Sequence, residues 1–182
     1  KQALLLKKNN PRSDQLLILK GDVSNYNDVV SIVKKTKQNF GKIDALINNA
    51  GIHLDSKVVN MSLPSWKKVI DTNLTGVFNF CKATLPIMKK QNYGKIINIS
   101  SFTGLVGSAG ASNYAASKAG ILAFSKSVAK EVAKYNITVN SIAPGFFDIG
   151  MFNDFDLSTR KKLKKNIPSK RLGNPNEICE LC

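Results

Sequence analysis

The sequence predicts an α/β fold built on a doubly wound parallel sheet, and two observations carry that prediction. Short runs rich in Ile, Val and Leu alternate with longer segments of helical spacing, and each run ends in a cluster of small or turn-forming residues. Strands alternating with helices are joined by right-handed crossovers, which make the strands parallel and cover both faces of the sheet with helices. A chain of 182 residues is long enough for one domain with a buried core.

The elements follow in order. The run at 16–19 is expected to be a strand, leading to a helix at 26–40. A second strand is expected at 43–47 and a long helix at 65–91. A third strand is expected at 95–99, before a helix at 113–135 whose Ala115, Ala119, Leu122, Ala123, Val128, Ala129 and Val132 form a broad apolar face. The fourth strand falls at 137–143. Beyond it Ser158 is expected to cap a short helix carrying Arg160, Lys161, Lys162, Lys164 and Lys165. No internal repeat, low-complexity tract or linker interrupts the pattern. The chain starts at Lys1 rather than Met and stops at Cys182 inside a helical pattern, so it reads as a piece of a longer protein.

Composition narrows the function. With 43% apolar and 21% charged residues the chain is neither disordered, nor a disulfide-stapled miniprotein, nor a collagen-like fibre. The formal charge of +15 invites a nucleic-acid or membrane partner, but 24 of the 27 basic residues are lysines, and they are scattered among 19 asparagines. That is a solvated surface, so neither nucleic acid nor membrane is expected as a partner. The basic cluster at 160–165 is either part of that surface or a landing place for an acidic partner. Three cysteines form no closed disulfide framework and point to a reducing compartment, cytoplasmic or organellar. Cys179 and Cys182 spell CxxC, but only Cys81 and the lone His53 remain to complete a zinc set, so no metal is expected. No apolar run approaches the ~18 residues of a membrane span.

In an open parallel sheet, ligands bind beyond the carboxyl ends of the strands. Those ends read Gly21-Asp22-Val23-Ser24, Asn48-Asn49-Ala50-Gly51, Ser100-Ser101-Phe102 and Pro144-Gly145. Each alone is turn chemistry; four in succession make a rim on which a flat ligand reaches the backbone, with Asp22 able to accept from a nucleobase amine. Tyr114-Ala-Ala-Ser-Lys118 opens the next helix. A tyrosine and a lysine four apart share a helix face, so the ammonium is expected to lower the phenol's pKa and make a tunable proton donor. Ser101, at the preceding strand end, is placed to polarise a carbonyl that Tyr114 protonates. Rival chemistries lack their parts: Gly107-Ser-Ala-Gly110 is not a nucleophile elbow, there is no Walker string, and His53 reads as a loop residue lining a substrate entrance.

Together, Asp22-Val23, Asn48-Asn49-Ala50-Gly51, Asn73 in Asn-Leu-Thr-Gly, Ser101, Tyr114-xxx-Lys118 and Pro144-Gly145 resemble the short-chain dehydrogenase/reductase family, from about residue 1 to the end. The resemblance implies an incomplete Rossmann-like sheet over a single truncated domain, 1–182, without the family's strands 1, 2 and 7 or its glycine-rich phosphate turn. It implies NADP as cofactor, with NAD possible. Asp22 and Val23 would meet the adenine, and Asn49, Ala50 and Gly51 the adenosine ribose. Asn73 would hold a relay water, Ser101 would orient the carbonyl, and Tyr114 would be the general acid. Lys118 would grip the nicotinamide ribose, and Pro144 and Gly145 would border the nicotinamide. Where the family commonly places a threonine on the carboxamide, this chain has Ile149, one hydrogen bond fewer. The strings at 94–101, 113–120, 137–146 and Arg171-Leu-Gly-Asn-Pro most resemble members that reduce 3-oxoacyl chains on an acyl carrier protein, so a carrier-linked substrate and a homodimer or homotetramer are implied. The alternatives are a non-catalytic remnant or scaffold, a reductase of another small ketone, and a basic binding module. In the family's strand order the run at 16–19 loses its neighbours, so the sheet should show a gap or a rearranged pairing there.

Overall fold

The computed structural model describes residues 15–147, 150, 152 and 156–182. Helix α1 (Tyr26–Phe40) leads to strand β1 (Ala45–Asn48). Helix α2 (Leu63–Ile70) passes through a π turn (Asp71–Thr75) into α3 (Gly76–Gln91), and then comes β2 (Gly94–Ile99). The short α4 (Thr103–Val106) precedes the long α5 (Ser112–Val132), and β3 (Ile137–Ile142) follows. Helices α6 (Leu157–Asn166) and α7 (Pro175–Cys179) close the described chain.

The strands form a parallel three-stranded sheet in the order β1-β2-β3. Residues 16–19 form no strand, contrary to the pattern of the run. A strand needs a hydrogen-bonded neighbour, and the described residues supply none on that side of β1, so the expected gap is what the structure has. Strand β1 starts two residues later than the apolar run because the Gln91 side-chain amide occupies Ile43: its Oε1 accepts from the Ile43 N–H at 3.0 Å and its Nε2 donates to the Ile43 carbonyl at 2.8 Å.

Sheet side chains alternate with period two, and one face carries the core. Ile96, Ile137 and Val139 are buried on it against Val29 and Val33 of α1, Val77, Cys81 and Met88 of α3, and Ile121, Val128 and Val132 of α5. Cover on both faces is not found among the described residues: Ala45, Lys95, Thr138 and Asn140 point the other way and are exposed, and Ile47 keeps 51% of its surface. All three long helices among the described residues contribute to the one core.

Local signals set the helix ends. Asn25 caps α1 by accepting from Asn27 and Asp28 amides, and Gly41 ends it at φ 75°. The 65–91 pattern is broken in two by the π turn around Asn73, which apolar spacing does not announce. Gly94 opens β2 beneath Met88, where a Cβ would lie 2.5 Å from the thioether sulfur, so only glycine lets α3 pack so closely on the strand. The cap of α6 is Asp156 rather than Ser158: its carboxylate accepts from the Thr159 amide at 2.9 Å and from both the Ser158 and Thr159 hydroxyls at 2.6 Å, which holds it well below the usual carboxylate range.

A polar row crosses the core. Asn48, Asn98 and Ser141 are register partners on the three strands. The Asn48 amide donates to Asn98 Oδ1 at 2.8 Å, the Asn98 amide to Ser125 Oγ at 2.8 Å, and Ser141 Oγ to Ser125 Oγ at 2.7 Å. Ser125 in turn donates to the Ile121 carbonyl, so each of these buried groups has a partner. The row fixes strand register and the position of α5 at the sheet end where the loops begin.

Candidate active site

Helix α5 turns a stripe of i, i+4 positions inward, and its chemistry changes along its length. Asn113, Ser117 and Lys118 are buried in the first turns, and Ile121, Val128 and Val132 farther on. Ala119 and Ala123, expected on the apolar face, are exposed, because the inward stripe of this helix begins with polar residues. Two contacts hold that polar end. Ser100 Oγ donates to the Lys118 carbonyl at 2.7 Å, and Gly104 sits so close to α5 that a Cβ would lie 2.8 Å from the Ala119 nitrogen.

Ser101, Tyr114 and Lys118 come together here. The Ser101 oxygen accepts from the Thr103 amide at 3.1 Å, and its hydroxyl lies near enough to the Tyr114 phenol to act on its pKa. The Lys118 nitrogen stands 5.6 Å from the Tyr114 ring centre and donates to the Ile99 carbonyl at 2.7 Å. Lys118 is 3% exposed, and burial pushes its ammonium down to about 8. Tyr114 is not lowered as the spacing led us to expect. Burial, the largest influence, raises its pKa; the Ser101 hydroxyl lowers it; the charge of Asp55 raises it further. The phenol is therefore held protonated through the neutral range.

Asn73 is wholly buried beside them. Its Oδ1 accepts from the Ile52 amide at 2.8 Å, while its Nδ2 donates to the Ile52 carbonyl at 2.9 Å and to Ser117 Oγ at 3.1 Å. Both amide hydrogens are committed, so a relay water at this residue would rest on a carbonyl oxygen. Gly51 adjoins this cluster: a Cβ there would come within 3.4 Å of Asn73 Oδ1 and 3.5 Å of Lys118 Nζ.

The other rim residues lie on either side. Val23, Asn49, Ala50, Thr72, Gly76 and Phe80 line a cleft of ≈ 180 Å³ at the end of β1. Asp22 lies next to Val23, exposed; its carboxylate accepts from the Ser24 amide and hydroxyl, which lowers its pKa, and lies 3.9 Å from Lys68. Pro144 reaches the site through its carbonyl, which accepts from the Phe102 amide at 2.9 Å, and Gly145 follows it. Gly173 of the Arg-Leu-Gly-Asn-Pro string docks on this loop, its amide donating to the Phe146 carbonyl at 2.9 Å. Ile149 lies outside the described residues.

Sequence reading missed Asn79, whose buried amide donates to the Val23 carbonyl at 3.0 Å and so positions the loop that carries Asp22 and Val23. It also missed Gly76, where a Cβ would lie 2.8 Å from the Val23 side chain. An asparagine on the inward face of an apolar helix was the available signal for the first. Among the described residues no group of three or more His, Cys, Asp or Glu is placed to hold a metal ion, and no helix is long and apolar enough to cross a membrane.

A parallel sheet with a Ser-Tyr-Lys cluster at its carboxyl end, beside a cleft lined by an Asn-Asn-Ala-Gly turn, defines a dehydrogenase-type nucleotide-binding fold. The chain belongs to the short chain dehydrogenase family, whose pattern it matches over residues 1–159. It is 48% identical over 157 residues to the 3-oxoacyl-[acyl-carrier-protein] reductase FabG of Chlamydia muridarum, covering 86% of this chain and 63% of that protein. It is 42% identical over 164 residues to the 3-oxoacyl-[acyl-carrier-protein] reductase of Synechocystis, covering 90% and 65%, and 40% identical over 161 residues to nodulation protein G of Azospirillum brasilense, covering 88% and 65%. The chain thus spans a little under two thirds of the length of these curated relatives.

Proposed function

We propose that this chain carries the proton-transfer site of an NADPH-dependent reductase that converts a 3-oxoacyl group, carried on an acyl carrier protein, to the 3-hydroxyacyl. The observation that carries the reading is the meeting of the Ser101, Tyr114 and Lys118 side chains at the carboxyl end of the sheet, with the Lys118 ammonium 5.6 Å from the centre of the tyrosine ring. The names of the most similar relatives support the substrate class.

The residues present fit two portions of a nicotinamide dinucleotide. Val23, Asn49 and Ala50 line the cleft that would take the adenosine, with Asp22 beside it for the adenine. Gly51, with no Cβ to crowd Lys118, opens the lysine to the nicotinamide ribose, and Pro144 and Gly145 would border the ring. Bound there, the reduced nicotinamide supplies the hydride for the carbonyl carbon.

The protein's own part is orientation and proton transfer. The Ser101 hydroxyl donates to the substrate carbonyl oxygen and fixes it beside the phenol. The Tyr114 hydroxyl passes its proton to that oxygen as negative charge develops, and burial keeps that proton available at neutral pH. Lys118 grips the ribose and holds its charge beside the phenolate left behind. Asn73 positions the 51–52 turn and, through its backbone, serves as the place for a relay water.

The acidic carrier would meet α6, where Arg160, Lys161, Lys162, Lys164 and Lys165 fall within ten residues and no side chain is buried. The exposed Ala119 and Ala123 of α5 and the exposed Phe78 of α3 are the faces we assign to subunit pairing in a dimer or tetramer.

The test is consumption of NADPH, with NADH in parallel, by the full protein given an acetoacetyl thioester on a carrier protein and on a small pantetheine analogue. Tyr114→Phe should lower kcat/KM by a factor of about 10²–10⁴ while leaving NADPH binding in place. Turnover by the folded Phe variant at the wild-type rate would remove Tyr114 from the mechanism. Nucleotide binding without reduction of any ketone would favour a non-catalytic role.

A further inference from the structure

Helix α5 starts without a side-chain cap. Its N-cap residue is Ala111, whose methyl group accepts no hydrogen bond, so the amides of the first turn need other partners. For the Tyr114 amide that partner is the side chain of Asn113, whose Oδ1 accepts from it at 2.7 Å. The same side chain reaches the loop after β1, its Nδ2 donating to the Leu54 carbonyl at 3.0 Å. Farther along that loop, the Ser56 amide donates to the Gly110 carbonyl at 2.7 Å, just before the helix. The Tyr114 carbonyl is tied to the same loop by a second route. Ser117 Oγ donates to it at 2.7 Å and accepts from the Asn73 amide, which also grips Ile52. Asn113, Ser117 and Asn73 are wholly buried, so water does not compete for these bonds.

We infer that Asn113 is a positioning residue: by tying the Tyr114 amide to the Leu54 carbonyl, it fixes where the tyrosine stands relative to the loop after Gly51. The catalytic meaning of this tie rests on the reading of Tyr114 as proton donor; the tie itself does not. Asn113 is wholly buried and uncharged, so it acts through Tyr114 rather than on a substrate. Lys118 has anchors of its own, the Ile99 carbonyl on its ammonium and the Ser100 hydroxyl on its carbonyl. Loss of the Asn113 tie therefore moves the tyrosine without loosening the lysine. Proton transfer depends steeply on the place of the donor, and a displacement of about 1 Å costs on the order of 10²-fold in rate. The effect belongs in kcat and not in cofactor binding.

The test compares Asn113→Ala and Asn113→Ser with Val132→Ala, a truncation of a buried core residue at the far end of the same helix, all in the full protein. Tyr114 amide hydrogen exchange and the Tyr114 ring carbon resonances are read without nucleotide or substrate. The NADPH Kd, and kcat with an acetoacetyl pantetheine thioester, are read beside them. In Asn113→Ala the Tyr114 amide should exchange roughly tenfold faster and the ring resonances should shift. Its kcat should fall by a factor of about 10–10², with the NADPH Kd unchanged. Serine keeps a polar group but is too short to span from the Tyr114 amide to the Leu54 carbonyl, so Asn113→Ser should not restore kcat. Val132→Ala should leave all four readouts in place. Wild-type ring resonances or wild-type kcat in Asn113→Ala overturn the inference, and so does full rescue by serine, because polarity rather than the tie would then suffice. Equal changes in Val132→Ala overturn it too, since general loosening of the helix would be responsible. Failure of the reductase reading shows separately, as a wild-type protein that reduces no ketone, and exchange and ring resonances still decide whether Asn113 places Tyr114.

Discussion

The Lys118 side chain is anchored to Ile99: its Nζ donates at 2.7 Å to the carbonyl of the last residue of β2, two residues before Ser101. One hydrogen bond thus joins the helix that carries Tyr114 to the strand that delivers Ser101. Because Ser100 Oγ donates back to the Lys118 carbonyl, strand and helix are tied by reciprocal contacts at the site itself.

That anchoring leaves an ammonium buried, and stability should show it. The lysine pKa falls from 10.5 to about 8 on folding, so between those values the unfolded chain holds a proton that the folded chain has released, and stability rises with pH. Below pH 8 the burial costs on the order of 3 kcal/mol. Lys118→Met should therefore stabilise the nucleotide-free protein at pH 7 by about 1–2 kcal/mol, after loss of the Ile99 bond, and the advantage should shrink by pH 9. Cys81, buried and pushed up to about 12, acts in the opposite sense above its ordinary value of 9.0, but it is common to both proteins and cancels in the difference. Urea unfolding of both at the two pH values is the measurement. A Met variant less stable than wild type at pH 7 would contradict the burial cost.

The row Asn48–Asn98–Ser125–Ser141 should behave as a unit. Asn98→Ala removes two bonds from a wholly buried residue and leaves the Asn48 amide only its weak contact with the Cys81 sulfur at 3.6 Å, a loss of about 2–3 kcal/mol. Ser125→Ala should cost about 1–2 kcal/mol. Because the two share a bond, the double variant should lose less than the sum of the single losses. Additive losses in denaturant unfolding would mean the groups act separately.

The charge of α6 should matter for a macromolecular substrate and not for a small one. Reversing the exposed Lys161, Lys162 and Lys165 to glutamate should raise KM for a carrier-linked thioester roughly tenfold at low salt. The same variant should use a pantetheine thioester with unchanged KM, and the difference should fade as salt is added. Equal effects on both substrates would place the defect in the site rather than in docking.

Much of the fold could be read before any coordinates. Helix α1 spans Tyr26–Phe40, the stretch at 26–40 that its helical spacing predicts. The runs at 95–99 and 137–143 became β2 and β3 within one residue at each end. The site was legible where its chemistry lies in short strings, because a helix fixes Tyr114 and Lys118 on one face through four residues of sequence. Asn98, Asn79 and Ser125 were not legible as a group, since a polar residue within an apolar stretch reveals nothing of its partner on another element.

The sequence by itself determined the alternation of strand and helix, the tyrosine-lysine pair and the turns at the strand ends, because these depend on the chemistry of adjacent residues. Only the tertiary structure decided that the run at 16–19 stays out of the sheet, that the long described helices gather on one sheet face and that Tyr114 is raised rather than lowered. Each of these depends on what surrounds a residue. A strand needs a neighbour to bond, a face needs helices to cover it, and the pKa of a phenol responds to burial and to a carboxylate brought in from another loop as well as to the lysine on its own helix.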